Sequence, residues 1–192
     1  MINLPQNIDY TQYYNTSGMA TSKWGGKAWY FLFTCIMARY PVKIDERDSE
    51  HVYIKKHFKH LFCSLSVIMP CIFCRKSFEG FLKELPIDEY LVGRIELMYW
   101  LYLMKDKVNQ KLILQEKEAY NERKKTLKSF YYNKRITETE YYTKINTCKK
   151  NSFKTTPTPP FKDVLDQYEA IRASCSNKSK TCALPELDPL FN

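Results

Sequence analysis

A chain of 192 residues with 44% hydrophobic content supports one compact domain with embellishments, and its net charge of +9 marks a basic surface. Its five glycines, at positions 18, 25, 26, 80 and 93, form no phosphate-cradling loop and no dinucleotide fingerprint, which argues against a doubly wound nucleotide fold. The longest apolar run, Ala28 to Ala38, falls short of the roughly 20 residues a spanning helix needs, so no membrane span is expected.

In chain order, residues 1–22 read as a flexible N-terminal segment. They have neither the basic start and apolar block of a secretory signal nor the arginine-rich character of a transit peptide, which predicts a protein retained in the cytosol. Trp29, Leu32, Phe33, Ile36, Met37 and Tyr40 then recur at helical spacing until Pro41 stops them. A second helical face runs through Ile54, Phe58, Leu61, Phe62 and Leu65 and ends before Pro70. Phe78, Phe81, Leu82 and Leu85 define a third, which begins at a pair of cysteines and ends at Pro86. The fourth is the clearest, with Leu91, Ile95, Met98, Tyr99, Tyr102, Val108 and Leu112 between Tyr90 and about Leu114. No stretch alternates as a strand would, so the predicted class is all-α: a four-helix bundle with a short fifth helix.

From 114 to 156 the composition changes. This segment holds eleven Lys or Arg against five Asp or Glu, and so carries six of the nine net positive charges. It reads as a basic helical insertion. Its surface is mainly a solvated one, although Tyr120, Phe130, Tyr131, Tyr132, Tyr141 and Tyr142 among the cations leave nucleic-acid stacking open, unproven by any recognisable nucleic-acid fold. Pro157 to Pro160 make a stiff break, and Phe161, Val164, Leu165, Tyr168 and Ile171 open a last helix within 157–173. Residues 174–192 form a tail with Cys175 and Cys182.

The chemistry concentrates in "PCIFCRKSF", residues 70 to 78. Seven cysteines in a chain without an export signal are more often reduced, metal-bound or redox-active than a disulfide framework. Cys71 and Cys74 could supply half of a tetrahedral zinc site, with His57, His60 and Cys63 as further ligands. They could simply pack at a helix start. Or they could be a redox pair: a thiol in the first helical turn meets unpaired N–H groups and the positive end of the dipole, Arg75 and Lys76 add charge, and the two-residue spacer lets the sulfurs reach bonding distance.

With that pair on a helix, preceded by Trp24, Gly25, Trp29, Ala38, Tyr40 and Pro41 and followed by Val108, Asn109, Lys111 and Leu112, the chain resembles the Erv/ALR family of flavin-linked sulfhydryl oxidases. The resemblance covers 23–113 and resumes near 157–173. Phe33 stands where cellular members usually carry His, Lys105 and Asp106 where they carry His-Asn, and Leu114 where a lysine is common, a pattern similar to the branch encoded by large DNA viruses. It implies an FAD cofactor, Cys71 as the exposed exchange thiol, Cys74 facing the flavin, and Trp24, Gly25, Trp29, Tyr40, Asn109 and Lys111 as cofactor-binding residues, with no metal. It further implies cysteine-containing client proteins or a thioredoxin-like redox partner, molecular oxygen as acceptor, a homodimer, and work in host cytoplasm or the virion. Cys175 and Cys182 would be a shuttle pair, or else free thiols or a local staple, Cys148 another residue outside the bundle, and Cys35 and Cys63 core fillers. The rival expectation is a helical scaffold that has lost FAD and uses the basic insertion to hold partners.

Overall fold

A computed structural model describes Pro5 and residues 8–173; Cys175 and Cys182 lie outside the described residues. Its elements are α1 (Thr21–Arg39), α2 (Ser49–Ile68), α3 (Ile72–Glu84), α4 (Arg94–Tyr132), α5 (Glu138–Asn151) and α6 (Phe161–Glu169), with short 3₁₀ turns at Thr11–Tyr13 and Asp88–Tyr90. Among the described residues no strand forms beyond one bridge between Lys43 and Gly93. The protein is all-α.

Each boundary has a local cause. Pro41 ends α1, leaving Tyr40 extended as its C-cap, and the Asp48 carboxylate accepts from the Glu50 and His51 N–H groups to start α2. Thr137 and Glu140 form a reciprocal capping box that opens α5. α2 packs on α3, α1 packs on α4, and α6 lies against α1. Their apolar stripes meet in a core of Phe33, Ile36, Phe58, Phe62, Leu97, Trp100, Leu101 and Met104, closed from α6 by Val164 and Tyr168. Trp100 is its hub: it is fully buried, stands edge-on to Phe62 at 5.0 Å, and donates from Nε1 to the Leu85 carbonyl at 3.1 Å. The Tyr168 ring stacks on Phe33 at 5.1 Å, and the Lys105 ammonium lies over the Phe33 ring at 5.8 Å, its pKa pushed down by burial. Phe33 and Lys105 are thus a packed aromatic and a half-buried cation.

The main departure from expectation is the length of α4. The apolar spacing predicts an end near Leu114, yet the helix runs for 39 residues to Tyr132. Nothing in that stretch stops it, since neither glycine nor proline occurs between Gly93 and Pro157. Beyond the bundle its inward face is Tyr120, Leu127 and Tyr131, which pair with α5 and the segment after it: Tyr131 lies 5.4 Å from Tyr141, and Tyr120 lies 5.2 Å from Phe153. The insertion is therefore a two-helix arm, held at its root by Glu116 accepting from the Thr155 N–H and hydroxyl. Among the described residues none of its Lys or Arg side chains joins an ion pair.

Candidate active site

Pro70 ends the run of α2, and the chain turns at once into α3 with Cys71 as N-cap. The Cys71 sulfur accepts from the Cys74 backbone N–H at 3.4 Å, so the two-residue spacer closes one turn and brings both side chains to the same end of the bundle. Arg75 spends its guanidinium on the Met69 carbonyl at 2.6 Å, tying the start of α3 to the turn before it. From the other side, Met19 donates its N–H to the Pro70 carbonyl at 2.8 Å. Gly18 permits that approach, because a Cβ there would stand 2.8 Å from the same oxygen. Trp24 Nε1 donates back to the Met19 carbonyl at 3.3 Å, and Thr21 Oγ1 comes within 4.0 Å of the Cys74 sulfur.

Behind the cysteines lies a cavity of about 380 Å³, within the roughly 300–1,000 Å³ range of small-molecule sites. Each surrounding helix gives one face to it at three- and four-residue spacing. Trp24, Gly25, Ala28 and Trp29 come from α1, Leu65 from α2, Cys74, Ser77, Phe78 and Phe81 from α3, and Val108, Lys111, Leu112 and Gln115 from α4. Two wider depressions lie on the arm, one at its turn around Tyr131 and Thr137 and one between α4 and α5; neither touches a pair of thiols.

The two thiols are not equivalent. The hydrogen bond from the Cys74 side chain, joined by N–H groups at the start of α3, holds the Cys71 thiol below its ordinary value, whereas burial pushes Cys74 above its own. At pH 7 the larger thiolate fraction therefore sits on Cys71. Iodoacetamide at that pH is expected to alkylate Cys71 several-fold faster than Cys74, read by peptide mass mapping; equal labelling would contradict the assignment of roles. Lys111, hydrogen-bonded to the Ser77 hydroxyl, lowers Cys74 through its charge and so stands ready to support a thiolate there.

Of the residues picked out from the sequence, the fold brings Trp24, Gly25, Trp29, Cys71, Cys74 and Lys111 to this one cavity. Two lie elsewhere. Tyr40 is fully buried in the core, edge-on to Phe58 at 5.2 Å, with its hydroxyl donating to the Leu91 carbonyl at 2.8 Å. Asn109 points away from the cavity and donates to Thr158 Oγ1 at 2.8 Å, fastening the segment before α6. Thr21, Ser77, Phe81 and Gln115 were not anticipated. For Ser77, Phe81 and Gln115 the signal was present as helical spacing from Cys74 and Lys111, at three, seven and four residues, and Thr21 lies three before Trp24. The three possible zinc partners do not gather round the pair: the His57 and His60 rings are 6.4 Å apart along α2, Cys63 is exposed, and no three His, Cys, Asp or Glu side chains converge among the described residues.

The helical bundle thus carries an adjacent cysteine pair that opens on an apolar cavity at one end. Residues 26–130 match the Erv1 / Alr family, and the chain belongs to that family, whose members are FAD-linked sulfhydryl oxidases. Among solved structures it is similar to one described as the crystal structure of yeast Erv1 core, at 24% identity and a TM-score of 0.41, covering 56% of this chain and 84% of that one. None of the curated proteins matches it.

Proposed function

We propose that this chain is an FAD-dependent thiol oxidase that makes disulfides in client proteins through Cys71 and Cys74. The observation that carries the reading is the place of Cys74, whose side chain forms part of the wall of an apolar cavity faced by Trp24 and Trp29. The donor set fits the group: two indole faces for a flat ring, Lys111 and Ser77 for its polar edge, and Gly25 with no side chain to narrow the space. When bound, FAD supplies a two-electron acceptor that can pass the pair to molecular oxygen, giving hydrogen peroxide.

The chain's own residues perform the exchange. A client thiolate attacks the Cys71 sulfur of the oxidised pair, the Cys71–Cys74 bond breaks, and Cys74 leaves as thiolate. The second client thiol attacks its partner sulfur in the mixed disulfide, which frees Cys71 with its lowered pKa as a good leaving group. Two electrons and two protons leave the client. The Thr21 hydroxyl and the Lys111 ammonium support negative charge on Cys74 at the cavity wall. Tyr40 and Asn109 have no part in this reading. The reading extends to a virus-encoded member, supported by Phe33, Lys105 and Asp106 at the departing positions, and by analogy with the family to a homodimer acting in host cytoplasm.

The visible spectrum of the purified chain tests it. A yellow protein with flavin absorbance that consumes oxygen with dithiothreitol supports the oxidase. A colourless, inactive protein would instead support a scaffold that works through its arm.

A further inference from the structure

Around the exchange thiol the surface is unusually apolar. Val67 and Ile68 at the end of α2 are 74% and 63% exposed, Ile72 and Phe73 between the cysteines 50% and 77%, and Met19, bonded across to Pro70, 68%. Val67, Ile68, Ile72 and Phe73 stand within four positions of Cys71 along the chain, and Met19 is bonded to the residue before it. The surrounding sequence carries no charge over residues 61–74 and 10–22, which contain no Asp, Glu, Lys, Arg or His; Lys23 and Arg75, the latter held on the Met69 carbonyl, mark the border. Nothing in the fold requires such exposure, because the core is already closed by other faces of α2 and α3. Exposed apolar side chains gathered along one short stretch of chain mark a binding surface.

We propose that this apolar rim is the docking surface for the client, and that it selects clients whose cysteine lies in an extended segment flanked by apolar side chains. The proposal rests on the oxidase reading for its purpose. What decides the occupant is the thiol at the centre: any molecule that forms a mixed disulfide with Cys71 must bring its sulfur within bonding distance of it, and so must lay its flanking residues on Met19, Ile68, Ile72 and Phe73. A charged flank would lose its hydration there with no partner. An apolar flank gains by burial.

The test separates docking from flavin chemistry by following the exchange alone. In the full-length Cys74→Ser chain, Cys71 thiolate attacks a peptide whose single cysteine is activated as a pyridyl disulfide; the peptide–pyridyl S–S bond breaks, thiopyridone leaves with the electron pair, and the mixed disulfide remains. Its release is read by absorbance, with the Cys71→Ser, Cys74→Ser chain as the blank for other cysteines. A peptide with Leu and Phe beside the cysteine is expected to react about tenfold faster than one with Ser and Glu there, the order that burial of one side chain supplies. Adding Ile68→Ser and Ile72→Ser is expected to bring that ratio close to one. A parent chain without preference, or a preference that survives both substitutions, overturns the proposal. So does a dimeric mass that the two substitutions reduce to a monomer, since a second copy would then be the occupant. Loss of oxygen consumption in the otherwise native chain would sink the oxidase reading while leaving this ratio unchanged.

Discussion

Replacement of Cys74 by serine is expected to lower dithiothreitol-driven oxygen consumption by about a thousandfold or more, the scale of removing a group without which the reaction has no route. The substitution takes away the sulfur on the cavity wall and with it, in the mechanism we propose, the partner for an internal disulfide, while the Cys71 thiol remains. The fold has little to lose. Cys74 contributes its backbone N–H to the Cys71 sulfur, a bond serine keeps, and its side chain reaches the Cys71 thiol and, at 4.0 Å, the Thr21 hydroxyl, both within reach of a serine hydroxyl. Thermal unfolding is therefore expected within about 1 kcal/mol of the parent. An oxygen electrode and a melting curve on the same preparation decide the matter, and turnover at the parental rate would refute the role given to this residue.

The second large effect is on stability. Trp100→Ala is expected to cost about 3–5 kcal/mol, because it removes a fully buried indole and leaves a cavity between Phe62 and the end of α3. It also orphans the Leu85 carbonyl that closes α3. A loss of that size is a large share of the 5–15 kcal/mol typical of a domain. Urea unfolding should show the midpoint fall sharply with little change in slope; a loss below about 1 kcal/mol would mean that the residue is not the hub its contacts describe. Trp100→Phe keeps most of the volume and loses the hydrogen bond, and should fall between the two.

The bundle was legible in the sequence because each of its helices keeps an unbroken apolar stripe and because Pro41, Pro70 and Pro86 mark where three of them stop. The far half of α4 was not. Past Leu114 its apolar residues thin out and answer to α5 instead of to the core, so one helix serves two partners and no single stripe spans it. The cysteine pair was legible from spacing alone, and its helix start from the proline before it. The inequality of the two thiols was implied there by the resemblance alone and not by spacing, since it depends on how deeply α3 sets Cys74 against α1 and α4.

Tyr40 and Asn109 show why motif residues are harder to place than motif helices. Tyr40 ends a stripe of aromatics, and sequence cannot say whether its ring faces a ligand or its hydroxyl has found a carbonyl; here it finds that of Leu91. Asn109 precedes Lys111 by two positions, roughly 200° around an α-helix, so the two cannot face one cavity together. Geometry chooses Lys111 and turns Asn109 toward Thr158.

Because α4 passes without a break from the wall beside Cys74 out into the arm, it acts as a ruler. Lys111 and Tyr132 sit on the same uninterrupted rod, some 30 Å apart at 1.5 Å per residue. Whatever grips the tip is thereby parked at a set reach from the reacting sulfur, and lengthening or shortening that rod by one turn would shift it by about 5 Å without touching the chemistry.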